Sequence, residues 1–136
     1  MSLVADIDNP PLRLGAQLGR YVVLETLGVG GMGHVFGAHD VALERCVALK
    51  VLRRSDPEER VRLIREARAQ AKLSHPNVVA IYDVGEIEGH VFIAMELVEG
   101  QTLRQWLMQK RRAYDEIVDV FSAAAQGLHA AHRAGL

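Results

Sequence analysis

Three glycines, Gly28, Gly30 and Gly33, with Lys50 and Glu66, are the residues whose types and spacing could do chemistry in this chain. Glycines spaced G-x-G-x-x-G let the backbone N–H groups of a turn approach phosphate oxygens, because no Cβ stands in the way. The same spacing occurs in dinucleotide-binding turns, in loops that cover nucleotide phosphates and in plain tight turns. A dinucleotide-binding turn needs a helix that starts at the third glycine. Here His34-Val35-Phe36 continues as a strand, and no helix start precedes Asp56. Lys50 lies in the apolar run Val47-Ala48-Leu49-Lys50-Val51-Leu52, and a lysine in a buried strand requires an anion to offset its desolvation. Strand alternation puts the small Ala48 on the same face as Lys50, leaving room for a flat ligand. Glu66 falls beside Leu63 and Gln70, at the edge of an apolar helical stripe, and is the expected partner of Lys50.

The elements that must position these residues follow from the hydrophobic period. Tyr21 to Leu27, His34 to His39 and Cys46 to Leu52 read as three antiparallel strands in a meander, with the glycine turn after the first and a turn at Asp40 to Arg45 after the second. Asp56 as N-cap, Pro57 at the first helical position and Glu59 three residues after the cap open a helix that runs to about Leu73. Its apolar side is Leu63, Ile64, Ala67 and Ala71; Arg60, Arg62, Arg65 and Arg68 fill the solvated remainder. Pro76 ends it. Asn77 to Val84 and His90 to Val98 read as two more strands of a hairpin, with Gly85 to Gly89 as the link. After Gly100 the period changes to that of helices. Thr102 and Gln105 form a capping box for a helix from Leu103 to about Lys110, and a second helix from about Asp115 carries Ile117, Phe121, Ala124, Leu128 and Ala131 as a stripe to be buried.

Composition narrows the function classes. The 136 residues are 49% hydrophobic and 24% charged, enough for one modest domain with a core. Sixteen Lys plus Arg against 17 Asp plus Glu give a formal net charge of −1, which removes the bulk electrostatic argument for nucleic acid or an anionic membrane. The single Cys46 excludes an internal disulfide and every multi-cysteine metal site, and is expected to pack on the Ala48–Lys50 face. His129 and His132 are expected as surface histidines, so no metal ligands are assigned. No apolar run approaches the roughly 18 to 20 residues of a membrane span, and the start lacks the basic and apolar regions of a signal peptide, so a soluble, cytoplasmic chain is expected. Pro10-Pro11 and the lack of period make residues 1–20 an expected arm or linker.

Together these motifs resemble the N-terminal lobe of protein kinases, specifically the bacterial eukaryote-like serine/threonine kinases. Gly28-Val29-Gly30-Gly31-Met32-Gly33-His34-Val35 matches the pattern G-x-G-x-x-G-x-V in full, and Val47-Ala48-Leu49-Lys50 is similar to the family's V-A-I-K strand. Arg65-Glu66-Ala67, His75-Pro76-Asn77-Val78-Val79 and Met95-Glu96-Leu97-Val98-Glu99-Gly100 resemble the family's αC helix, the segment after it and the interlobe hinge.

The resemblance implies an α+β fold: a five-stranded antiparallel sheet with one helix over residues 21–95, a hinge at 96–101, and two helices of the C-terminal lobe at 102–136. It implies that Gly28, Val29, Gly30, Gly31 and Gly33 cover the phosphates of ATP. Lys50 would hold the α- and β-phosphates and pair with Glu66, and Leu27, Val35 and Ala48 would line the adenine. Backbone groups of Glu96 and Val98 would meet the adenine edge, with Met95 as gatekeeper. The family's H-R-D-x-x-x-x-N loop and D-F-G segment, which hold Mg²⁺ and receive the hydroxyl proton, are not among these 136 residues; His132-Arg133-Ala134 lacks the carboxylate. The expectation is therefore the ATP-binding part of a truncated kinase domain, inactive alone. Its parent would use ATP and Mg²⁺ on protein substrates, and its own unpartnered helical stripe would drive a homodimer. The alternative is a pseudokinase-like nucleotide-binding or scaffold module.

Overall fold

The computed structural model describes residues 12–31, 33–53, 55–87 and 89–136. The elements in chain order are β1 Gln17–Leu18, β2 Tyr21–Gly30, β3 Gly33–Asp40, β4 Arg45–Leu52, α1 Pro57–Ala71, β5 Ile81–Ile87, β6 His90–Met95, α2 Leu103–Gln109 and α3 Tyr114–Arg133. The strands form one antiparallel sheet in the order β1-β2-β3-β4-β6-β5. Among the described residues it has six strands where five were expected, because the two-residue β1 adds to the edge of β2.

Register divides the sheet into two faces, since residues directly opposite one another share a side. On one face Phe36, Leu49 and Ala94 lie in a row, as do Val51 and Phe92, and Ala38 and Val47. These join Leu12, Leu18, Tyr21 and Val23 in a single buried cluster. The reading of residues 1–20 as an arm is corrected for its second half: Leu12 and Leu18 are 3% and 1% exposed and cover this core. Residues 1–11 lie outside the described part. Two apolar residues flanking a glycine turn are too few to show a period, which is why the sequence reads here as linker.

The edge is held by a polar network that the sequence does not announce. Asp40, its side chain 1% exposed, meets Arg20 Nη2 at 3.2 Å and accepts from the backbone N–H groups of Ala42 and Leu43, fixing the β3–β4 turn. Tyr21 donates to Asp83 Oδ2 at 2.9 Å, tying β2 to β5 across the sheet. Burial, then the hydrogen bond to Asp83 and its negative charge, push the Tyr21 hydroxyl up to about 12.

α1 begins as the capping signal requires: Asp56 Oδ1 accepts from the Glu59 N–H at 2.9 Å, with Pro57 at the start. Thr102 and Gln105 complete a capping box on α2. α3 leaves its apolar stripe without a cover among the described residues. Its stripe Ile117, Phe121, Ala124, Leu128 and Ala131 is not buried: Phe121 is 49% and Leu128 58% exposed, Ala124 is exposed, and Ile117 and Ala131 are half-buried. The inward arc instead runs through Ile117, Val120, Ala123, Gly127 and Ala130, with only Gly127 buried. The physical reason is close approach. A Cβ on Gly127 would lie 2.6 Å from the Asn77 carbonyl oxygen, so α3 lies against the 75–78 segment at the one position that has no side chain.

Candidate nucleotide-binding cleft

The face opposite the core carries Val35, Ala48, Lys50, Ile93 and Met95. Val35 is directly across from Lys50, Lys50 from Ile93, and Ala48 from Met95, so all five share one side of the sheet. Above it the β2–β3 hairpin brings Gly28, Val29, Gly30, Gly31, Gly33 and Val35 together with Lys50 around a cleft of about 340 Å³. That volume lies within the usual range of small-molecule sites.

The glycines play two different parts. Among the described residues nothing lies within 4 Å of a Cβ built on Gly28, Gly30 or Gly31, so the absence of side chains there leaves backbone open to the cleft. Gly33 is a structural requirement: its φ is +145°, and an added Cβ would stand 2.9 Å from Leu52 Cα and collide with the Val51 carbonyl. Met32 lies outside the described residues.

Lys50 is half-buried, and among the described residues it has no ion-pair partner within 4.0 Å. The expected pairing with Glu66 is not present. Glu66, its side chain 60% exposed, stands instead 3.9 Å from Arg62 Nε on its own helix. The inward arc of α1 centres on Ala67, its one buried residue, with Leu63 half-buried. Arg60 anchors that arc to β5 through Glu86 at 3.2 Å. Glu66 is one residue, or about 100°, round from Ala67, and an i,i+4 cation is its nearest charge. Because Glu86 is opposite Val91, on the same side as Ile93 and Lys50, α1 does cover the Lys50 face.

The residues expected around a flat ring are arranged less closely. Ala48 is buried and Met95 half-buried beside it, whereas Leu27 is 45% exposed at an irregularity of β2. The Glu96 N–H already donates to the Ala80 carbonyl at 2.9 Å, so at Glu96 the carbonyl is the backbone group left to offer. Val98 is exposed beyond it. Cys46 does not pack as expected. It is exposed at the far end of β4, where the covered part of the Lys50 face has run out. His129 and His132 are both exposed.

The cleft has open glycine backbone at one end and a half-buried lysine below, a pairing suited to an anionic ligand. The protein kinase domain family matches residues 21–136, and the chain belongs to that family. It is 40% identical over 122 residues to the probable serine/threonine-protein kinase PknB of Lactococcus lactis, covering 86% of this chain and 20% of that protein. It is 41% identical over 127 residues to the serine/threonine-protein kinase PknE of Mycobacterium tuberculosis, covering 90% of this chain and 22% of that protein. Its structure is similar to the Mycobacterium tuberculosis PknI kinase domain, with a TM-score of 0.78 and 32% identity over 92% of this chain and 52% of that one. The chain thus spans about a fifth of these curated relatives and half of that kinase domain.

The polar contacts that the sequence reading missed include Arg20–Asp40, Arg60–Glu86, Tyr21–Asp83 and the side-chain amide of Asn77 on the Ala123 carbonyl. Only the last left a trace, in the glycine placed mid-helix at 127.

Proposed function

We propose that these residues are the ATP-binding portion of a serine/threonine protein kinase that transfers the γ-phosphoryl group of ATP to protein serine and threonine hydroxyls. The observation that carries this reading is the convergence of Lys50 with the open glycines on one cleft. In it the backbone at Gly28 to Gly33 covers the phosphates and Lys50 neutralises them, while Leu27, Val35 and Ala48 hold the adenine beside Met95, the Glu96 carbonyl and Val98. Glu66 pairs with Lys50 once α1 rotates, which gives up the exposed ion pair with Arg62 and shifts the Arg60–Glu86 contact and the packing of Ala67.

No group of three His, Cys, Asp or Glu able to hold a metal exists among the described residues. The metal ligands belong to family segments outside these 136 residues, so the chain by itself binds nucleotide without transferring phosphate. It acts in the cytoplasm, where ATP is available, and no helix among the described residues is long and apolar enough to cross a membrane. Its exposed α3 stripe pairs with a second copy.

ATP titration followed by thermal melting tests the reading. The expected Kd is on the order of 0.1 to 1 mM, equivalent at about 5 mM ATP to roughly 1 to 2 kcal/mol of stabilisation. Lys50→Ala should remove most of it, and no radiolabel should pass from ATP to protein. The outward Glu66 favours a second reading, a pseudokinase-like scaffold. A melt indifferent to ATP would select it, and autophosphorylation lost in Lys50→Ala would exclude it.

A further inference from the structure

The nucleotide cleft is not the largest concavity. A groove of about 530 Å³ runs along the other side of α1, lined by Val61, Ile64, Arg65, Arg68, Ala69 and Lys72. These positions recur at steps of three and four, so they form one stripe nearly opposite the arc of Leu63 and Ala67 that faces the sheet. The stripe has two chemistries. Val61, Ile64 and Ala69 are apolar; Val61 is 68% exposed and Ile64 half-buried, and apart from Pro57, Ala69 and Ala71 the other exposed residues of the helix are charged or polar. Arg65, Arg68 and Lys72 are exposed cations, and among the described residues none has an ion-pair partner, whereas Arg60 and Arg62 on the same helix are both paired. Attraction to the helix C-terminus accounts for a cation in the last turn. It does not account for three cations over two turns beside an exposed valine.

We infer that this groove docks an acidic peptide segment of a partner protein, with apolar anchors on Val61, Ile64 and Ala69 and carboxylates against Arg65, Arg68 and Lys72. Charge complementarity selects the occupant. The chain as a whole carries a formal charge of −1, so a polyanion gains nothing from it at long range and must find its cations locally. Three cations along one helical face, interleaved with apolar side chains, suit a segment that alternates carboxylates with leucine-like residues better than a bare polyanion. The segment would grip the helix that carries Glu66, yet the inference stands apart from the nucleotide reading, because no groove residue lines the Lys50 cleft.

The test uses the whole chain and a blocked, fluorescein-labelled peptide of four Glu-Glu-Leu repeats, followed by anisotropy at low salt. A Kd on the order of 10 to 100 μM is expected. Arg65→Glu with Arg68→Glu should weaken binding at least tenfold, and Val61→Ser about threefold, with unchanged melting temperatures and unchanged ATP affinity. The inference is overturned if the double variant binds the peptide as tightly as the parent. It is equally overturned if Val61→Ser has no effect and polyglutamate binds as well, or if an oligonucleotide of equal charge competes as strongly. Loss of ATP response with peptide binding intact would count against the nucleotide reading alone.

Discussion

The side-chain amide of Asn77 donates to the main-chain carbonyl of Ala123 at 2.9 Å, and four residues along α3 Gly127 rests against the Asn77 carbonyl. One residue of the α1–β5 connection thus holds α3 at two points. Gly127→Ala should destabilise the chain by about 1 to 3 kcal/mol despite alanine's better helix propensity, because the added methyl meets backbone that must move. Asn77→Ala should cost about 1 kcal/mol. Urea denaturation of both variants checks this; a Gly127→Ala chain as stable as the parent would show that α3 does not lie this close.

The raised Tyr21 hydroxyl makes stability fall at high pH. Because its folded value of about 12 exceeds its unfolded value near 10, the folded state holds the proton more tightly. The contribution is complete below pH 10 and is lost as pH rises through 12, by roughly 2 to 3 kcal/mol. Tyr21→Phe should flatten the stability profile between pH 10 and 12, read by urea midpoints at each pH, and should lower stability near neutrality through loss of the bond to Asp83.

Stability and nucleotide binding should separate within the glycine hairpin. Gly30→Ala fills open space at an ordinary backbone angle, so the melt should shift by less than about 1 kcal/mol equivalent. ATP should bind severalfold more weakly, since on the proposed reading the methyl would stand where phosphate oxygens approach. Gly33→Ala should reduce both, being strained at φ +145° and blocked by Val51 and Leu52. Calorimetric titration of ATP beside thermal melts distinguishes the two glycines, and equal effects at both would contradict the division of roles.

The exposed stripe of α3 should control assembly. Phe121→Glu with Leu128→Glu should convert a self-associating chain into a folded monomer, because neither side chain is buried within the chain. Sedimentation at tens of μM decides, and a parent chain that already sediments as a monomer would end the proposal of a homodimer.

The glycine spacing, the Val47 to Lys50 strand and the capping signals at Asp56 and Thr102 were legible because each is a local rule, satisfied by residues a few positions apart. Their places on one sheet face followed from alternation alone. What was not legible depended on partners distant in sequence. Whether Glu66 turns toward Lys50 or toward Arg62 is decided by the rotation of α1 on β5, which the Arg60–Glu86 contact anchors. The contact side of α3 was not legible, because apolar size points to Phe121 and Leu128, whereas contact is made where size is least, at Gly127. The two-residue β1 gave no period to detect.

β2 slips against β3 twice, between Val23 and Glu25 and again between Thr26 and Gly28. Each slip skips a leucine, Leu24 or Leu27, and an unpaired residue in a ladder removes a cross-strand tie and adds twist. The strand is therefore not uniformly stiff. Its root, Tyr21 to Val23, is pinned by buried side chains, while its glycine tip is joined through two weakened links placed in series. Such a cantilever bends at its joints and keeps its end intact, so the tip should tilt over Lys50 as one piece. Amide hydrogen exchange should be fast at Leu24 and Leu27 and slow at Val23, with the Val29–His34 rung exchanging more slowly than either joint.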